Sequence, residues 1–90
     1  MFKAQIIYDL ATILNYADEA DQDVRMRCRT HMEAVANQLW KGTNGNKPVS
    51  IKAMNVALVK AGWLYAEFME ENNSLILAVG VRNPLAGAVL

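Results

Sequence analysis

The residues best suited to chemistry lie in one short stretch, Arg25-Met26-Arg27-Cys28-Arg29-Thr30-His31. On a helix Arg25 and Arg29 stand four apart and share a face, while Arg27 points elsewhere. Two guanidinium groups on one face offer a planar fork to a phosphate, a carboxylate or an acidic patch on a partner. Glu33 stands four beyond Arg29, at the spacing of a helical ion pair. The plainer reading of the run is therefore a solvated, partly paired surface. Cys28 and His31 are three apart and could face each other as nucleophile and base. Such a pair needs an orienting third group and an oxyanion donor, and the sequence identifies neither. Cys28 shares a helical stripe with Val24, Met32, Val35 and Leu39, which predicts a buried, quiet thiol.

Two further clusters resemble ligand sites and fail on residue type. Asp18, Glu19, Asp21 and Asp23 could gather a hard cation, but an EF-hand reading places Arg25 at the third acid, Met26 at the glycine and Met32 at the glutamate. These carboxylates instead suit the start of a helix, where they cap free amides and meet the positive end of the dipole. Gly42 to Lys47 carries glycine and lysine before a helix, without the spacing of a phosphate loop and with Pro48 following. No metal site and no cofactor are expected.

These residues need elements to position them. Phe2, Ile6, Leu10, Ile13, Leu14 and Ala17 recur at helical steps, with Ile7 on the flank, and predict a first helix from Phe2 to Ala17. The stripe through Cys28 predicts a second, ending at Lys41 with Gly42 just beyond. The short connection between them predicts an antiparallel helical hairpin. Ser50 is the expected N-cap of a third helix, with Val49 placed to pack on Met54.

From Ile51 the sequence supports two structures. Ile51, Met54, Leu58, Ala61, Tyr65, Phe68 and Met69 keep a helical stripe, and Leu64 to Glu71 is mostly good helix formers. This favours one long helix from Ile51 to about Asn72, and an all-α fold: a small helical bundle with an apolar C-terminal segment. The alternative stops the helix at Gly62, with Trp63 to Met69 and Leu75 to Val81 as strands around an Asn72-Asn73 turn. It sets Tyr65 opposite Gly80 and Trp63 opposite Arg82, in an α+β fold of three helices and a C-terminal β-hairpin.

Composition bounds the function. Ninety residues predict a single domain with a thin core. The 53% hydrophobic content exceeds what such a core holds and predicts self-association. Nine basic residues balance nine acidic ones, which argues against binding dominated by a phosphate backbone. A single cysteine excludes an intrachain disulfide and suits a reduced cytoplasm. Asp9 within the apolar start argues against a signal peptide, and no apolar run is long enough to span a membrane. The expected function is a non-enzymatic, self-associating regulatory or binding protein that acts by protein–protein interaction. The alternatives are a winged-helix-like nucleic-acid binder, suggested by the possible hairpin with Lys47, Lys52 and Lys60, and an oligomer holding a small anionic ligand between subunits. With the stripes assigned to packing, the expected binding residues are Arg25, Arg29, Tyr8, Tyr16 and Trp63, arginine and off-stripe aromatics being enriched in interfaces.

Overall fold

The computed structural model describes residues 4–15, 22–42 and 48–80. The elements are α1 (Gln5–Asn15), α2 (Gln22–Lys41), α3 (Ile51–Lys60), β1 (Ala66–Glu71) and β2 (Ser74–Val79). The two strands pair antiparallel, so the fold is α+β and the all-α expectation fails beyond Lys60.

The cause is local. Gly62 adopts φ 94°, a conformation costly for any residue with a Cβ. Its N–H donates to Val59 C=O at 2.9 Å, and Trp63 N–H donates to Leu58 C=O at 2.9 Å. These two bonds form a Schellman motif that satisfies the last carbonyls of α3 and turns the chain away. Asn72 (φ 52°) and Asn73 (φ 63°) then supply the two left-handed residues of a tight hairpin turn. Helix propensity over Leu64–Glu71 is overridden by these two backbone signals and by the burial of Phe68 and Leu75. The register runs from Ala66↔Val79 to Glu71↔Ser74, and Gly80 N–H donates to Tyr65 C=O at 2.7 Å. Tyr65 thus faces Gly80 as the hairpin alternative requires, while Arg82 lies outside the described residues.

The helix starts and stops follow the sequence more closely. Gly42 (φ 73°) follows α2 and donates to Gln38 C=O at 3.0 Å. Ser50 caps α3, its Oγ accepting from Ala53 N–H at 3.1 Å, and Val49 and Met54 are both buried in the core. The inward face of α1 differs from the expected stripe. Ala4, Ile7, Ala11 and Leu14 are buried, whereas Ile6 is 46% and Ile13 62% exposed. Small alanines allow α1 to approach its neighbours closely, and the helix turns that face inward. The core joins this face to Met32 and Ala36 of α2, Met54, Ala57 and Leu58 of α3, and Phe68 and Leu75 of the hairpin. α3 lies against β1 and α2 against β2. Among the described residues no helix is long and apolar enough to cross a membrane.

Candidate functional site

Among the described residues neither edge of the hairpin pairs with a further strand, and helix side chains bond to both. In an antiparallel pair the backbone groups of alternate residues point outward. Here the outward-pointing residues are Ala66, Phe68 and Glu70 on β1, and Leu75, Leu77 and Val79 on β2. On the β1 edge, Phe68 N–H donates to Asn55 Oδ1 at 2.6 Å, and Asn55 Nδ2 donates to Phe68 C=O at 3.2 Å. Asn55 is 7% exposed, and these bonds account for its burial on the apolar face of α3. On the β2 edge, Leu75 N–H donates to Asn37 Oδ1 at 2.7 Å. Asn37 Nδ2 donates both to Leu75 C=O at 2.9 Å and to Glu33 C=O at 3.0 Å.

One turn earlier on α2, Glu33 Oε2 accepts from Leu77 N–H at 2.9 Å. The expected ion pair between Arg29 and Glu33 does not form, and the carboxylate accepts from the strand edge instead. The spacing explains the arrangement. Four residues of helix rise ~6 Å and two residues of strand ~6.7 Å, so every fourth side chain of α2 meets every second residue of β2. Asn37 with Leu75 and Glu33 with Leu77 are hydrogen-bonded rungs, and the same spacing sets Arg29 next to Val79, with which it borders the same two cavities.

The third rung is chemically unlike the others. Asn offers a donor and an acceptor, and Glu offers acceptors, but Arg offers donors alone. Arg29 cannot accept the outward N–H of Val79. Among the described residues neither Arg29 nor the outward N–H of Val79 has a hydrogen-bond acceptor. Two cavities meet at this rung and share both residues. The larger, about 280 Å³, is open and bordered by Trp63, Leu64 and Tyr65. The smaller, about 130 Å³, is bordered by Met26, Thr30, Glu33 and Leu77. Arg29 is half-buried, whereas Met26, Leu64, Tyr65 and Val79 are exposed, Tyr65 by 66%. The rung thus sets unaccepted donors within an apolar and aromatic surround.

The expected binding residues divide. Arg29 and Trp63 border the same groove. Trp63 also has a structural role, since its Nε1–H donates to Ala11 C=O at 3.2 Å and its ring packs on the core. Tyr8 is half-buried against the core and borders neither cavity. Arg25 lies on α2, with its side chain outside what is described, and Tyr16 lies outside the described residues. Tyr65, an aromatic left out of the expected binding set, also borders the groove, and sequence reasoning missed Val79 as a groove residue and Asn37, Asn55 and Glu33 as edge clamps.

Cys28 and His31 both border a separate cavity of about 270 Å³ between α1 and α2, with Leu10, Ile13 and Arg27, and no hydrogen bond joins them. That lining holds no carboxylate to orient the histidine. Cys28 is half-buried rather than buried, because α1 presents its alanine face and leaves Leu10 and Ile13 at this cavity. Among the described residues no group of three or more His, Cys, Asp or Glu could hold a metal ion. The acidic cluster at 18–21 and the loop at 43–47 lie outside the described residues.

No protein-family model, curated protein or solved structure matches this chain.

Proposed function

We propose that this chain is a small non-enzymatic binding protein that self-associates and acts by protein–protein interaction, with the groove around Arg29 as its recognition surface. The observation that carries the reading is the third rung of the α2–β2 edge. There a half-buried arginine and a strand N–H, neither with an acceptor among the described residues, stand among exposed Leu64, Tyr65 and Val79. Arginine with tyrosine and tryptophan is the composition that concentrates binding energy at protein interfaces. Self-association draws support from Ile6 and Ile13 on α1 and Met69 on β1, large apolar side chains left at the surface of a small fold. The single free thiol, Cys28, suits a reducing, cytoplasmic setting.

The order of three helices and a hairpin also fits a nucleic-acid wing, but the charge does not. The hairpin strands carry Glu67, Glu70 and Glu71 and no lysine or arginine, so their field repels phosphate. The test is a photo-crosslinking amino acid placed at Tyr65, in the groove, or at Lys52, exposed on α3 away from it. Adducts from position 65 and none from position 52 are expected in cells making the full chain. Equal adducts from both positions, or none from 65, would overturn the assignment of the groove.

A further inference from the structure

We propose that the groove takes an extended peptide segment of a partner protein, one that presents an Asp or Glu beside a bulky apolar residue. This rests on the reading of the groove as a binding surface and adds the chemistry of what fills it. The carboxylate follows from the donors. Asn37 and Glu33 each bring β2 the acceptor its outward N–H needs, whereas at the next rung Arg29 brings only donors. Among the described residues neither the guanidinium nor the Val79 N–H meets an acceptor, so both are open to one brought by a partner. A carboxylate meets both, since its oxygens accept in the plane of the guanidinium fork and retain capacity for a further donor.

An extended shape follows from the two cavities. They lie on either side of the Arg29–Val79 rung, and the larger is open, so an elongated occupant crosses the rung where a compact ligand is left half-solvated. Among the described residues Leu77 N–H is the last outward group of β2 that an α2 side chain bonds, and the Val79 N–H beyond it is open to a strand-like segment. Direction follows from charge. Glu33 borders the smaller cavity and repels a second carboxylate there, so the acid sits toward Trp63. Its apolar neighbour then lies over Tyr65 and Leu64, the exposed side chains of the larger cavity.

The test is to pan a phage-displayed library of random heptapeptides against the full chain and to measure the selected peptides as synthetic, end-blocked compounds. The expected sequences share an acid with a bulky apolar residue within two positions. Replacing that acid by its amide, or Arg29→Gln in the protein, is expected to weaken binding at least about tenfold. The amide resonance of Val79 should shift on titration with the selected peptide and not with its amide analogue. Circular dichroism checks that Arg29→Gln folds; Arg29→Lys, which keeps the charge and loses the fork, is read in the same way if it does not. Failure to select any peptide, selection of peptides without an acid, or affinity indifferent to the acid would overturn the proposal. So would 4-phenylbutyrate binding as tightly as the peptide, which would assign the groove to a small molecule. If adducts still form from position 65 in those cases, the groove remains a binding surface and only its acidic peptide ligand is excluded.

Discussion

Asn37 holds Leu75 by both of its backbone groups, accepting from its N–H at 2.7 Å and donating to its C=O at 2.9 Å. Asn55 makes the same two-point hold on Phe68 at the opposite edge. A two-stranded hairpin is marginal alone, and its open edges invite pairing with other chains. Here one helical amide holds each edge at its buried residue, and Phe68 and Leu75 beneath them are both core residues. The clamps fix how the hairpin lies along α2, and so where the Arg29–Val79 rung falls.

Removing a clamp should therefore cost more than a surface change. Asn55→Ala leaves the Phe68 N–H and C=O without their partner in a buried place, and a loss of about 2–3 kcal/mol is expected. Asn37→Ala is less buried and should lose about 1–2 kcal/mol. Urea unfolding measures both. Losses below about 0.5 kcal/mol, the range of ordinary surface substitutions, would mean that packing alone holds the hairpin.

Much of this frame was legible because it rests on local signals. Gly42, Ser50 and the α2 stripe each act within a few residues of sequence. The hairpin was legible only as an alternative, since Gly62 and Asn72-Asn73 had to outweigh a helical period running through Tyr65 and Phe68. The face of α1 was misread because Ala4 and Ala11 are weak apolar signals, although their small size is what permits close packing. The clamps left a faint trace. Asn55 lies on the Ile51–Met54–Leu58 face of α3, and an amide there must find partners. Which partners depends on the hairpin, and the pairing of Arg29 with Tyr65 and Val79 depends on it too. Arg29 was found by its type, and its surroundings by the fold alone.

The turn at Gly62 is the switch between the two readings of the C-terminal half. Gly62→Ala places a Cβ at φ 94° and should destabilise the protein by about 1–2 kcal/mol. Asn73→Gly relieves a left-handed residue in the hairpin turn and should stabilise by up to about 1 kcal/mol. Thermal unfolding of the two variants should move in opposite directions. If Gly62→Ala were neutral and gained helical circular dichroism, α3 would extend past Lys60 and the described hairpin would be wrong.

Self-association is open to a direct mass measurement. Light scattering or sedimentation at micromolar concentration should give at least twice the 10.0 kDa of one chain. Ile13→Lys places a charge at the most exposed of the large α1 apolar residues and should lower that mass if α1 takes part, with the helical spectrum unchanged. A clean monomer for the unmodified chain would remove self-association from the account.

Recognition on this reading is concentrated at Arg29. Arg27 provides the control, being exposed on the same helix two positions away and bordering the cavity on the α1 side instead. Arg29→Gln and Arg27→Gln change the net charge equally, so a general electrostatic attraction would respond to both alike. The decisive measurement is the yield of adduct from a crosslinker at position 65 in each background, with fold confirmed by circular dichroism. Arg29→Gln is expected to lower the yield at least about fivefold, while Arg27→Gln leaves it within about twofold. Equal yields in the two backgrounds would contradict it.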